Sequence, residues 1–365
     1  MNLKQYIKSK TFLYKTIKPF VLLIRGLIQI FIMIKQNYFL QKRFKKFNGG
    51  KKRILLLLTP EYGNIGDNLI AMGEYHFFQE RFADYQIDEV SMNMVNLWSG
   101  AVLKKYKRNY ENIVISGGGF LGTLWPKFEK ISQVTIKALK DKNIIIFPQT
   151  IFYERESKLL WKVLNIYKDC NKLSIYIRDK SYFWLREKIK EFENIHIFNV
   201  PDIAMYLNYS DIAKERSGVI LCLRKDKERI IDNSIQITID SLSKKYKINI
   251  SDTVLNCNVK LEDREKVCLK KINEFQTSSL VITDRLHGML LCLITGTPCI
   301  AFNNISNKVK GVYELWLKDV DYIRLIEDVN ELSETLVDIM IQKKISSYKP
   351  SQFEKYWAQI ESSFV

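Results

Sequence analysis

The segment richest in chemistry is Leu280-Val281-Ile282-Thr283-Asp284-Arg285-Leu286-His287-Gly288. Its first four residues read as a buried strand that delivers a guanidinium and an imidazole two positions apart. The apolar run Met289–Thr295 reads as a helix whose positive amino end faces the same spot. In an extended turn, Arg285 and His287 would point to one side. A guanidinium grips carboxylate or phosphate through two parallel hydrogen bonds, and an adjacent imidazole can hand over a proton near neutral pH. The plainer alternative pairs Arg285 with Asp284 and leaves His287 as packing.

Three further segments end strands in the same way. Ile54–Leu58 runs into Thr59-Pro60-Glu61-Tyr62-Gly63-Asn64-Ile65-Gly66-Asp67 ahead of an apolar helix. There Gly63 and Gly66 allow close backbone approach, and Asn64 and Asp67 either bond sugar hydroxyls or cap the helix. Ile113–Ser116 leads into Gly117-Gly118-Gly119-Phe120-Leu121-Gly122, which matches the glycine spacing of dinucleotide sites. It follows a later strand rather than the first, and Trp125-Pro126 is expected to hinder a helix directly behind it, so Gly118 and Gly119 read instead as a backbone floor or a plain tight turn. Arg224 and Lys225 end the strand Val219–Leu223 and should open into the same space as Arg285. The pair Asp319 and Asp321 has the D-x-D spacing of metal-dependent sugar transferases but lacks further carboxylates at ligand spacing, so no metal is expected.

These segments need a scaffold that brings strand ends together. From Ile54 onward, short apolar runs alternate with longer amphipathic ones, the pattern of parallel sheets covered by helices. Five such runs (Ile54–Leu58, Ile113–Ser116, Ile144–Phe147, Ser174–Ile177, Ile195–Phe198) form one Rossmann-like set. Val219–Leu223, Ile248–Ser251, Leu280–Thr283, Cys299–Phe302 and Tyr322–Ile326 form another. The expected domains are an arm over 1–53, an amino-terminal domain over 54–207, a carboxy-terminal domain over 208–345 and a final helix over 346–365. Two α/β domains face a cleft at the carboxyl ends of their strands.

The chain has 365 residues and a formal charge of +17, but the charge is unevenly placed. Residues 1–53 hold 14 of the 57 basic side chains and no acid, leaving 43 basic against 40 acidic residues in the rest. A nucleic-acid enzyme would spread its cations over the folded surface, so no nucleic-acid partner is expected. Within the arm, the apolar stretch Phe20–Ile34 would reach about 22 Å as a helix, short of a hydrocarbon core of about 30 Å. No small-residue cleavage site follows it. It reads as a retained interfacial helix, or as an element packing on the body or on a second subunit in a homo-oligomer. The six cysteines form no C-x-x-C pair or metal-spaced cluster, which fits a reducing, cytoplasmic setting.

Taken in order, several pieces resemble the polysaccharide pyruvyl transferases: Gly63-Asn64-Ile65-Gly66-Asp67, Ser116-Gly117-Gly118-Gly119, Phe147-Pro148-Gln149-Thr150, Ile177-Arg178-Asp179, Pro201-Asp202, Arg224 and Thr283-Asp284-Arg285-Leu286-His287-Gly288. The resemblance implies the two-domain architecture of the metal-independent, GT-B type glycosyltransferases. It also implies transfer of pyruvate from phosphoenolpyruvate, the donor substrate, to a sugar as a ketal, with no cofactor. Arg285 and Arg224 are the candidates to hold the donor, with Lys225, Leu286, Asn64, Gly66, Gly118 and Gly119 as further binding positions. His287 would be the acid and Asp67 the base that accepts the sugar's proton. The acceptor would be a sugar of a cell-surface polysaccharide or its lipid-linked precursor, met at the inner face of the cell membrane through the arm. Two rival readings are a metal-independent glycosyltransferase using a nucleotide sugar and a non-catalytic scaffold of a membrane assembly.

Overall fold

The computed structural model describes residues 3–47, 52–154, 157–212, 214–224, 235–343 and 347–365, with the backbone alone for 3–17. Two parallel sheets carry the molecule. The first is built from β1 (Lys52–Thr59), β2 (Tyr85–Ser91), β3 (Asn112–Ile115), β4 (Gly118–Gly122), β5 (Asn143–Phe152), β6 (Lys172–Ile177) and β7 (Ile195–Asn199), in the order β2-β1-β3-β5-β6-β7, with β4 paired to the far end of β5. The second contains β8 (Val219–Cys222), β9 (Ile248–Ile250), β10 (Leu280–Thr283), β11 (Cys299–Phe302) and β12 (Ile323–Ile326), in the order β12-β11-β10-β8-β9. Apolar side chains cover both faces of the central strands, which is why they read as unbroken hydrophobic runs. Leu56 lies between Glu89 and Val114, and Ile282 between Leu221 and Ile300. All ten expected strands are present, while β2 and β4 were not foreseen. The second glycine turn is therefore partly strand, and the helix Pro126–Leu139 begins right behind it with Pro126 in its first turn. At that position proline sacrifices only an N–H that has no helical partner, so the expected hindrance does not arise.

The two lobes share one core and face a cleft, the GT-B arrangement. The helix Ile65–Arg81 buries Leu69, Ile70, Phe77 and Phe78, and the helix Leu286–Thr295 buries all ten of its residues; both belong to a single apolar cluster. The end of the chain crosses back to the first lobe. Arg81 holds Glu361 at 2.8 Å and Glu354 at 2.6 Å, Tyr176 donates to the Gln359 carbonyl at 2.8 Å, and the Phe364 ring lies 4.4 Å from that of Phe82. On the cleft side the lobes are clasped through their backbones. Asn64 and Val254 form an antiparallel bridge, in which Ile65 N–H donates to the Thr253 carbonyl and Leu255 N–H to the Gly63 carbonyl, both at 2.7 Å.

The amino-terminal helix runs from Leu3 to Lys46 and has two parts with different surroundings. Its last turns dock on the first lobe: Leu40 and Phe44 are buried, Phe44 stacks on Tyr106 at 4.7 Å, and Arg43 donates to the Glu89 carbonyl at 3.1 Å. Between Phe20 and Ile34 the large side chains stand exposed around the whole circumference, including Phe20, Leu23, Leu27 and Phe31. The 15-residue run understates this helix. Lys18–Lys46 is 29 residues long and holds an 18-residue window of mean hydropathy 1.6, none of it buried, long and apolar enough by length and composition to cross a membrane.

Two buried features of this fold yield predictions. A Cβ at residue 63 would overlap the carbonyl oxygens of Leu255 and Cys257, so Gly63→Ala should part the clasp, costing about 1–3 kcal/mol. A lowered unfolding midpoint with faster amide exchange at Ile65 and Leu255 is the expected result; unchanged exchange would contradict it. Glu74 is fully buried and accepts from Gly117 N–H at 2.7 Å and Ser116 Oγ at 3.0 Å. Burial pushes its carboxyl up from 4.5 to about 8, with Gly117, Ser116 and Arg264 pulling the other way. The folded state thus holds this proton more tightly than the unfolded chain, and stability falls as pH rises through the interval between those values. The melting-temperature advantage of Glu74→Gln over wild type should grow from about pH 5 to about pH 8. A difference independent of pH would refute the assignment.

Candidate active site

Strand ends from both lobes converge on a cavity of about 410 Å³. The first lobe contributes Tyr62, Gly63, Asn64 and Asp67 after β1, Gly119, Phe120, Trp125 and Phe128 around β4, and Arg178 after β6. The second contributes Arg224 after β8, Thr253 and Val254 after β9, Arg285, Leu286 and His287 after β10, and Lys308 after β11. Four cationic side chains and the imidazole therefore surround one space, and Asp67 is the only carboxylate on its wall among the described residues.

The local structure explains how each group is held. Arg285 adopts extended backbone (φ −98°, ψ 127°) as the cap of the helix Leu286–Thr295, so Arg285 and His287 straddle a helix start and not an extended turn. Arg285 pairs with Asp252 at 2.8 Å rather than with its neighbour Asp284. Asp284 instead accepts from the Arg224 N–H at 2.7 Å and fixes that turn; burial raises its carboxyl despite the opposing pull of Arg224 and Arg285. On the facing lobe Asn64 caps its helix by accepting from Gly66 N–H at 3.0 Å, and its amide donates to Asp67 at 2.7 Å. Capping thus belongs to Asn64, which leaves the Asp67 carboxylate at the cavity. Tyr62 faces it, its phenol raised well above the usual range by burial first and by Asp67 second.

His287 crosses between the lobes. Its ring lies against the α-carbon of Gly66, where any Cβ would overlap the imidazole, and its Nε2 is 3.5 Å from Asp202 Oδ2. Asp202 is fully buried and takes Arg178 Nη1 at 2.5 Å. Burial would raise the Asp202 carboxyl, but Arg178 and His287 outweigh it and hold the group at about 2. Its contribution to stability is present above the ordinary carboxylate range and is lost only as pH falls toward that value.

The expected residues Asn64, Asp67, Gly119, Arg224, Arg285, Leu286 and His287 all line the cavity. Gly66 and Gly118 are not among its lining residues but adjoin His287 and Phe120, which are, and Lys225 lies outside the described residues. Asp319 and Asp321 precede β12, at the opposite end of the sheet from the cleft. Arg178, Lys308, Asp202 and Asp252 were not singled out as site residues. Arg178 and Asp202 follow β6 and β7, so the strand-end rule that nominated Arg224 could have found them; nothing local marks Lys308.

Comparison with known proteins gives this cavity a family. The family model described as polysaccharide pyruvyl transferase matches residues 64–307, which include every cavity-lining position except Tyr62, Gly63 and Lys308. General stress protein 30 of Bacillus subtilis is 31% identical over 303 residues, covering 80% of this chain and 86% of that one. Pyruvyl transferase 1 of Schizosaccharomyces pombe is 22% identical over 310 residues, covering 77% and 74%. Among solved structures, a functionally uncharacterised protein of Klebsiella pneumoniae superposes with a TM-score of 0.52 at 19% identity, over 81% of this chain and 98% of that one, a likeness of fold. The matched span takes in the greater part of both sheets and the facing strand ends, and the chain belongs to the polysaccharide pyruvyl transferase family.

Proposed function

We propose that the enzyme transfers pyruvate from phosphoenolpyruvate to two hydroxyls of one sugar in a cell-surface polysaccharide or its lipid-linked precursor. The observation that carries this reading is the convergence of Arg178, Arg224, Arg285 and Lys308 around His287 and Asp67 in one two-lobed cavity. Phosphoenolpyruvate bears a carboxylate and a phosphate on its reacting carbon, and cations on different strand ends can hold both groups in register. His287 gives a proton to C3, making the methyl group, while a sugar hydroxyl adds to C2 and loses its proton to Asp67. The C2–O bond to phosphate then breaks, and phosphate departs with its negative charge matched by the arginines. A second hydroxyl of the same sugar adds to C2, closes the ketal and releases the remaining proton. Trp125, Phe128 and Leu286 on the walls keep water from competing with that second hydroxyl. No metal is required in this scheme, because guanidinium groups and the helix start at Leu286 do the neutralising.

In a mass-spectrometric assay with phosphoenolpyruvate and candidate sugar acceptors, Arg285→Ala should chiefly raise the KM for phosphoenolpyruvate. His287→Ala should lower kcat by about 10²–10⁴. Turnover of the wild type should survive a chelator. Near-normal turnover in both variants, or binding of a nucleoside diphosphate with indifference to phosphoenolpyruvate, would overturn the reading and favour a nucleotide-sugar enzyme.

We further propose that the arm holds the enzyme at the inner face of the cell membrane, where lipid-linked sugars are displayed. The support is the apolar circumference from Phe20 to Ile34 together with uncompensated basic residues on either side. Each cation near an anionic surface adds up to about 1 kcal/mol of salt-sensitive attraction. Removing residues 2–32 spares the docked Leu40 and Phe44. The truncated protein should therefore stay folded and active on a soluble acceptor but no longer float with anionic liposomes. Continued flotation, or failure of the full chain to float, would reassign the arm to packing or oligomer formation.

A further inference from the structure

The two nitrogens of His287 have different surroundings. Nε2 is sealed from solvent and faces Asp202 Oδ2 at 3.5 Å. Nδ1 lies on the other side, against Gly66, where the ring forms part of the cavity wall. The imidazole is thus confined between a glycine in front and a carboxylate behind, and both belong to the opposite lobe.

That carboxylate is itself immobilised. Asp202 Oδ2 takes Arg178 Nη1 at 2.5 Å, and Oδ1 accepts the Ala204 N–H at 2.8 Å, closing the turn Ile203–Tyr206. Arg178 is fixed in turn: Nε donates to Thr150 Oγ1 at 3.0 Å, and the Arg178 carbonyl receives Trp316 Nε1 at 2.7 Å from the second lobe. A fully buried acid held this way stays ionised, which the value near 2 reflects. It can accept a hydrogen bond and cannot donate one.

We propose that Asp202, anchored by Arg178, is a positioning residue that takes the Nε2 proton of His287 as its hydrogen-bond partner and so assigns proton transfer in the cavity to Nδ1. The inference rests on the reading of His287 as the proton donor. Its physical content is an orientation: a carboxylate behind one ring nitrogen fixes which nitrogen carries the resident proton and which faces the reacting atoms. The charged groups on the cavity wall (Asp67, Arg178, Arg224, Arg285 and Lys308) lie on different elements from Asp202. Among the described residues, Asp202 is the carboxylate paired with Nε2 within 4 Å.

The chain has three histidines, so ring ¹⁵N spectra of histidine-labelled full-length protein are simple to assign, with His76 and His196 as internal references and His287→Gln marking the third. In the wild type, neutral His287 should be the Nε2–H tautomer, with Nδ1 unprotonated. In Asp202→Asn that preference should be lost, and kcat should fall at least about 10-fold, a share of the 10²–10⁴ available to a positioned proton donor. KM for phosphoenolpyruvate should change less than kcat, because Arg178 keeps its bond to Thr150 when Asp202 is neutralised. Finding the wild-type ring as the Nδ1–H tautomer would overturn the proposal, as would an Asp202→Asn protein that keeps both the preference and kcat. The wild-type spectrum needs no variant, so it decides the matter even if Asp202→Asn fails to fold. The tautomer also needs no turnover: the expected spectrum without reaction of phosphoenolpyruvate would support the positioning and sink the reaction assigned to the site.

Discussion

The site depends on a backbone contact between lobes. Where Gly63, Asn64 and Ile65 meet Thr253, Val254 and Leu255, two loops from different sheets exchange main-chain hydrogen bonds as if they were a short piece of one sheet. Main chains can come this near because residue 63 has no side chain. The approach sets the spacing of the strand ends on both sides of the cleft. One residue further on, it brings Gly66 against the His287 imidazole. A looser meeting of the lobes would leave the same residues in place along the chain and separate them in space.

Charge placement follows a single rule. Two cavity arginines pair through their guanidinium groups with a carboxylate close to their own element, Arg178 with Asp202 and Arg285 with Asp252, while Asp284 takes the backbone N–H of Arg224. Desolvating an ion costs several kcal/mol unless a partner compensates, so a cluster of cations in a buried cleft needs this counter-set of acids to fold at all. The acids sit behind the arginines rather than in front of them, and Asp67 alone reaches the wall. The cavity therefore remains electropositive while the core beneath it is close to neutral. Pairing also fixes side-chain orientation before any substrate arrives, which removes that ordering cost from binding.

Much of this was legible in the sequence where cause and effect are local. Central parallel strands bury both faces, so Ile54–Leu58 or Leu280–Thr283 announce themselves as unbroken apolar runs. Residues that directly follow such runs, among them Asn64, Arg224, Arg285 and His287, must gather at the sheet's carboxyl edge. Strand β2 escaped because Asp88 and Glu89 interrupt it; both are buried, neutralised by Arg53 and Arg264 far along the chain. Strand β4 escaped because Gly118 and Gly119 disfavour extended structure in isolation and are held there by pairing with β5. Asp252 stands just past β9 and was open to the same strand-end rule, whereas Lys308 lies six residues beyond β11 and no local pattern marks it. The amino-terminal helix outruns its apolar core in both directions, since neither Pro19 nor Gly26 ends it.

The continuity of that helix has a mechanical consequence. Its docked turns are bolted to the first lobe by Leu40, Phe44 and Arg43, and no break separates them from the exposed turns beyond. A flexible leash would let the catalytic body tumble above whatever the arm grips. A stiff mast of about 20 Å, the rise of residues 20 to 33, transmits orientation as well as position. If the arm grips a surface, the mouth of the cleft would be held at one height and one angle to it. An acceptor displayed on that surface would meet the cavity in a single pose, and the geometry of the mast would act as a ruler selecting how far from its anchor a sugar can be modified.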